Sequence, residues 1–204
     1  DVITSSTGGT GAINGLAGDD TITNTVGAVT ITGGAGADTL VGVTGVVEKF
    51  AYAATTDLFA SSAIVDTSVA GNGGADLLLI GASAGGFAIA ATDIWTGITT
   101  VPSIEAIAST QAMTIDLDVS AYAAGIRIVD LSAADSGNND GNIIDISEFV
   151  GTAATTLDGA VGNTAITGGA GADAITGGAG DDTITGGLAD DTLVGAAGVD
   201  TFVF

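Results

Sequence analysis

The sequence predicts an all-β chain wound as a parallel β-roll or β-solenoid, and three observations predict it. A nine-residue phrase repeats four times without a gap over residues 168–203, as GGAGADAIT, GGAGDDTIT, GGLADDTLV and GAAGVDTFV. The phrase recurs in one continuous register over residues 15–41 and once more at 71–79. The segments between these copies are apolar or alternating and rich in β-branched residues, as strands require. A strict short period marks a solenoid, because each repeat can bury its apolar face only by stacking on its neighbours.

Each phrase divides into a six-residue glycine-rich turn and a three-residue strand. In the C-terminal block an aspartate holds the sixth place of every copy (Asp173, Asp182, Asp191, Asp200), and an apolar residue holds the eighth (Ile175, Ile184, Leu193, Phe202). Glycine serves where φ is positive or the backbone must come close to something, so these turns offer their carbonyls at the spot that the aspartate closes. Carbonyl and carboxylate oxygens with no nitrogen or sulfur nearby form a hard-cation site, suited to calcium more than to zinc or copper. Gly-Asp turns also punctuate ordinary hairpins, but a sustained period with fixed aspartates is narrower than turn chemistry requires.

If two phrases make one coil, alternate phrases stack on one side and the ligands come in pairs. Asp173 then faces Asp191, and Asp182 faces Asp200 on the opposite side. At the start of the chain, GLAGDDTIT (15–23), NTVGAVTIT (24–32) and GGAGADTLV (33–41) pair Asp20 with Asp38. Val29 replaces the aspartate between them, so its side is expected to be metal-free there. GAVGNTAIT (159–167) has Thr164 in the aspartate position and reads as a coil without its ligand. The solitary copy GNGGADLLL (71–79) places Asp76 with no partner nearby in sequence.

These registers divide the chain into N-terminal roll coils at 1–42, a longer-coil or β-rich region at 43–158 that holds the isolated copy, and a C-terminal roll at 159–204. In the middle region, segments 87–91, 103–108, 113–119, 126–131 and 143–146 read as strands, separated by spacers such as 136–142. Parallel strands added to the roll ends would cover their open edges. Residues 48–60 are alternatively open to a short helix. The run 39–52 also resembles 192–204 with one insertion, which is explained equally by a larger unit of about 150 residues or by chance likeness of two roll exits.

The 204 residues carry a formal charge of -22, from 24 acidic residues set against two basic ones, Lys49 and Arg127. Such self-repulsion opposes compaction in metal-free water, and bound divalent cations relieve it. Nucleic acid is excluded as a partner, because nothing here could neutralise phosphates. With 46% hydrophobic residues the chain is not a disordered acidic tail. It contains no cysteine and no histidine, which removes disulfides, thiol catalysis, imidazole bases and the usual zinc sites. A serine nucleophile with a histidine partner is therefore impossible, and the chain is expected not to be an enzyme. The longest uncharged apolar stretch, 77–92, is short for a membrane helix and is broken by Gly81, Gly85 and Gly86, so no transmembrane segment is expected. The chain opens at Asp1 without a signal peptide or initiating methionine and is read as a section of a longer protein. Extracellular calcium modules bind at roughly 10⁻⁴ to 10⁻³ M, a concentration found outside cells.

The phrases at 168–185 and 33–41 match GGxGxDxUx nearly in full, and the chain resembles the RTX calcium-binding nonapeptide family over about two fifths of its length. VDTFVF at the end is similar to the usual exit from such rolls. The resemblance implies a parallel β-roll that folds on Ca2+ outside the cell after unfolded export by a type I secretion system. It also implies that turn carbonyls at Gly18, Gly34, Gly36, Gly169, Gly171, Gly178, Gly180, Gly187, Ala189 and Gly198 join the aspartates as ligands. Ala189 stands for the family's fourth-place glycine, and Glu48 stands where the C-terminal run has Asp200. The RTX-like start at 71–80, the patch VPSIEAI (101–107) and TIDLD (114–118) resemble repetitive regions of bacterial S-layer proteins, in which calcium rolls alternate with longer coils.

Three other constellations have plainer readings. Asp116 and Asp118 on one strand face resemble a glycosidase pair, but no aromatic-rich cleft accompanies them, and solvated or peripheral calcium-binding acids fit better. Residues 135–148 suggest an EF-hand loop, yet Ser136 and Ser147 occupy its first and twelfth places, leaving an Asn/Asp/Gly turn. Trp95 is assigned to the core or a coil end, and Arg127 to a surface pairing with Asp130 or Glu148.

Two functions follow from this reading. The first is a structural calcium-dependent solenoid section of a secreted bacterial surface layer or extracellular filament, with itself as partner and a surface glycan or lipopolysaccharide as anchor. The second is an accessory calcium domain of a type I-secreted enzyme, toxin or adhesin.

Overall fold

In the rolls the strand of each phrase that carries the aspartate starts directly after the sixth place, as in Thr39–Val41, Thr183–Thr185 and Thr201–Val203. In the last of these the middle residue, Phe202, is 38% exposed, but in the other two the middle side chain turns inward, and Leu40 and Ile184 are fully buried between neighbours that are not. That is the period-2 pattern of a strand with one covered face. The computed structural model describes residues 1–5, 11–52, 59–60, 63–64, 68–71, 76–80, 88–90, 98–99, 101–106, 112–132 and 141–204.

One wall runs the length of the molecule. Its nine strands are Gly11–Ala17, Val29–Ala35, Lys49–Tyr52, Leu77–Ile80, Ser103–Ala106, Ile128–Asp130, Thr156–Asp158, Ala174–Ala179 and Thr192–Ala197. They lie side by side in chain order, and every neighbouring pair is parallel. A second wall of five strands faces the N-terminal part: Val2–Ser5, Thr21–Asn24, Thr39–Val41, Ser68–Ala70 and Ile98–Thr99. A third, of six, faces the C-terminal part: Ala88–Ile89, Thr114–Asp116, Asn142–Asp145, Thr164–Thr167, Thr183–Thr185 and Thr201–Val203.

Coil length explains the third wall. In the rolls, partners on adjacent coils are 18 residues apart, as Thr21 and Thr39 or Thr183 and Thr201 are, which suffices for two strands and two six-residue turns. In the middle, Lys49 pairs with Leu77, Leu77 with Ser103, Ser103 with Ile128 and Ile128 with Thr156. These coils of 28, 26, 25 and 28 residues have a longer perimeter. Between Ser68 and Ala106 the chain accordingly visits the second, first, third, second and first walls in turn. The expected parallel continuation of the roll is what the described wall strands of the middle region form.

Among the described residues a single core threads the coils. On the first wall Ile31, Phe50, Leu78, Ile104, Val129, Leu157 and Ile175 form an in-register ladder, each at most 1% exposed. Residues that stack this way lend stability only to their two neighbours, so the fold is quasi-one-dimensional.

Several expectations for the middle need correction. Residues 48–60 do not open with a helix: Lys49–Tyr52 is a strand, because Phe50 and Tyr52 alternate inward at period 2. Phe59–Ala60 pairs antiparallel with Ala63–Ile64 outside the walls. The predicted strand at 113–119 ends at Asp116, and a helix, Val119–Ala124, follows. Asp118 caps it, accepting hydrogen bonds from Ser120 N and Ala121 N, while Gly125 closes it at φ 101°. These are standard start and stop residues. Asp116 and Asp118 consequently do not share a strand face. Arg127 makes no ion pair with Asp130 or Glu148; it donates to the carbonyls of Tyr122 and Ile126 and lies 3.7 Å from the Tyr122 ring centroid. Trp95, residues 81–87 of the apolar stretch, and 135–140 of the Asn/Asp/Gly loop lie outside the described residues. No helix among the described residues is long and apolar enough to cross a membrane.

Candidate metal centre

The register places alternate phrases on the same wall, so the sixth-place aspartates stand one above another. One oxygen of each ties its coil to the preceding one. Asp38 Oδ1 accepts from Asp20 N at 2.8 Å, Asp191 Oδ1 from Asp173 N at 2.9 Å, and Asp200 Oδ1 from Asp182 N at 3.1 Å. Asp173 Oδ1 in turn accepts from Thr155 N, and Asp182 Oδ1 from Thr164 N. Asp20 Oδ1 lies 2.7 Å from the backbone nitrogen of Asp1.

The other oxygen turns back over the first glycine of its own turn. At Gly15 the place a Cβ would take is 2.6 Å from Asp20 Oδ2 and 2.5 Å from the carbonyl oxygen of Gly33, one coil onward. Gly177 repeats this with Asp182 Oδ2 and the Gly195 carbonyl, and Gly33, Gly186 and Gly195 each lie under the Oδ2 of their own aspartate. Only a residue without a side chain leaves this point open. Asp20 Oδ2 and Asp182 Oδ2 are buried and accept no hydrogen bond. A buried carboxylate oxygen without a donor is costly unless a cation meets it.

The turns have the shape that brings carbonyls into this space. Gly18, Gly34, Gly36, Gly178, Gly180, Gly187 and Gly198 are left-handed, as is Ala189 at φ 73°. At Gly34 (φ 107°) a methyl would strike the Leu16 carbonyl of the coil below, so glycine is required there for both conformation and space. Gly169 and Gly171 differ: neither is left-handed. Their turn packs on the segment from Phe149 to Ala153, where Ala170 N donates to the Phe149 carbonyl, and Gly169 N reaches Asp173 Oδ2 at 3.0 Å. At Asp173, then, the second oxygen already has a donor.

Two positions behave as substitutes. Thr164 Oγ1 donates to the Gly162 carbonyl and accepts from Ala160 N, so its hydroxyl closes the turn that an aspartate would leave open. Val29 is buried and offers no oxygen. The sequence reading missed a second ladder at the fifth place: Asp19 Oδ1 accepts from Ala37 N, Asp181 Oδ1 from Val199 N, and Asn163 Oδ1 from Asp181 N. Its signal was present in the Asp or Asn that precedes the sixth place in several copies.

Burial pushes the Asp182 carboxyl up from its ordinary range, and the charges of Asp200 and Asp181 add to the rise against a lowering by the Thr164 N–H. Among the described residues no three acidic side chains gather at one point. What the structure brings together at Gly15 and Gly177 is one aspartate Oδ2 and a turn carbonyl of the next coil. That all-oxygen set fits calcium, which accepts many oxygen ligands in flexible geometry.

Residues 14–45 and 167–202 match the RTX calcium-binding nonapeptide repeat, in four copies. Ca2+ is therefore the ion these repeats take, and proteins that carry them are typically secreted. No curated protein and no solved structure matches the chain. The matched segments are the two rolls, and the longer coils between them lie outside the match.

Proposed function

We propose that the chain is a structural, calcium-dependent solenoid section of a secreted bacterial surface layer or extracellular filament, and that it has no catalytic activity of its own. The observation that carries this reading is the stacking of buried carboxylates from coil to coil, in a solenoid whose first wall runs through both rolls and the region between them. Folding and ion binding are then one event. Repelling aspartates become ligands, the coils close on each other, and the apolar ladder forms. In this reading the chain works outside the cell, where calcium is abundant, with further copies of itself as partner and a surface glycan or lipopolysaccharide as anchor.

A calcium titration of the purified chain, followed by circular dichroism and light scattering with magnesium as control, tests it. A coil-to-β transition near millimolar calcium and then growth of large ordered particles is the expected result. The same folding with a monomeric end state favours the accessory calcium domain of a secreted enzyme, toxin or adhesin. β structure indifferent to a chelator removes the calcium mechanism.

A further inference from the structure

We infer that Glu48 and Asp76 form an additional divalent-cation site, outside the matched repeats, where the N-terminal roll passes into the longer coils. The inference rests on calcium being the ion of the roll and extends it to a coil of different length.

The longer coil brings together what the nine-residue period separates. Lys49 pairs with Leu77, so the residues before them, Glu48 and Asp76, stand on adjacent coils. Glu48 N donates to Asp76 Oδ1 at 2.7 Å, the same link that joins Asp20 to Asp38. Both side chains are 0% exposed. Glu48 Oε1 is held by Val43 N at 3.0 Å and Asn24 Nδ2 at 2.9 Å, while Glu48 Oε2 and Asp76 Oδ2 are buried without a hydrogen-bond partner.

The unused oxygen points where the roll's aspartates point. At Gly42 the place of a Cβ is 2.7 Å from Glu48 Oε2 and 2.9 Å from the Gly71 carbonyl oxygen. Gly15, Asp20 and Gly33 make the same arrangement in the roll: a first-place glycine, its own acid, and the first-place glycine carbonyl one coil on. The turn from Gly42 to Glu48 is one residue longer than that from Gly15 to Asp20, and it carries an acid one methylene longer. Two neighbouring carboxylates wholly removed from water, each with an open oxygen, call for a cation. The oxygen-only donors select a hard one, of the calcium class.

The test is the number of calcium ions bound per chain at millimolar calcium, by native mass spectrometry or equilibrium dialysis, for the parent and for Glu48→Gln/Asp76→Asn. The double variant is expected to bind one ion fewer while its circular dichroism in calcium stays that of the parent. An unchanged ion count in a folded variant overturns the site. If the variant does not fold, crystals of the parent grown in calcium decide through anomalous scattering: a peak between Glu48 and Asp76 supports the site, and peaks confined to the roll turns overturn it. A parent that binds no calcium at all would instead remove the proposed function, a separate outcome.

Discussion

At the scale of single residues, the turns depend on places where nothing is present. Gly177 lies under Asp182 Oδ2 and within 2.8 Å, at its absent Cβ, of the Gly195 carbonyl. Gly177→Ala puts a methyl where the ion's oxygens converge. It is expected to cost ~1–3 kcal/mol of stability as overpacking does, and to raise the calcium needed for folding in a titration followed by circular dichroism. A parental midpoint would show the space is not the ion's. The carboxyls add a pH dependence of unusual sign. Burial pushes Asp76 up to about 6, with Glu48's side chain and charge contributing and its N–H opposing, and Asp182 is raised as well. Between the ordinary carboxylate range and about 6, the ion-free folded chain holds protons that the unfolded chain has shed. That stability is complete below the unfolded pKa and is lost as pH rises through the folded one. In chelator, therefore, the β signal is expected to recover as pH falls from 7 toward 5, less so in Asp76→Asn. Calcium, which needs these groups charged, has the opposite preference. A chelated chain that loses β signal on acidification contradicts the assignment.

At the scale of elements, equal sequence does not make equal sites. The turn over 168–173 matches GGxGxD as well as that over 177–182, yet it rests on the segment from Phe149 to Ala153 near the end of the middle region and spends Asp173 Oδ2 on Gly169 N. Asp182→Asn is therefore expected to weaken calcium binding more than Asp173→Asn, by roughly tenfold or more, the equivalent of ~1.4 kcal/mol. Calorimetric titration of the two variants settles the order, and equal losses would mean the turn reshapes when the ion enters. This difference was not legible in the sequence because it comes from the neighbouring coil. The rolls were legible: nine residues per phrase and two phrases per coil put Asp20 on Asp38 and Asp182 on Asp200 from spacing. The middle was legible only as apolar segments. Its coils vary in length, so no period could bring Glu48 to Asp76, although each stands directly before an apolar strand as the roll aspartates do. The helix had its signals in Asp118 and Gly125, but six residues beginning at Val119 read equally as the end of a strand.

At the scale of the whole molecule, charge and topology act together. A chain of formal charge -22 is wound so that its carboxylates stack along the axis, which brings like charges close instead of spreading them. Simple screening and specific ligation should then separate experimentally. Salt shortens the range of repulsion between exposed charges to about 3 Å at 1 M, but it reaches buried pairs much less. The buried oxygens of Asp20 and Asp182 are of the second kind. Removing calcium with a chelator at pH 7 is expected to abolish the β signal, and 1 M sodium chloride to restore little of it. Magnesium should also fail at equal concentration, because it demands near-octahedral geometry and gives up its waters reluctantly. Because each coil contacts only its neighbours, loss of ions from one roll should loosen that roll before the middle, whose longer coils carry more of the apolar ladder. Hydrogen exchange during stepwise chelation would register this as early exchange in residues 21–41 and 174–203 and later exchange in strands such as Ser103–Ala106 and Ile128–Asp130. Simultaneous exchange throughout would mean that the sheet joining all the coils makes the solenoid a single cooperative unit, with the ions acting on it as a whole.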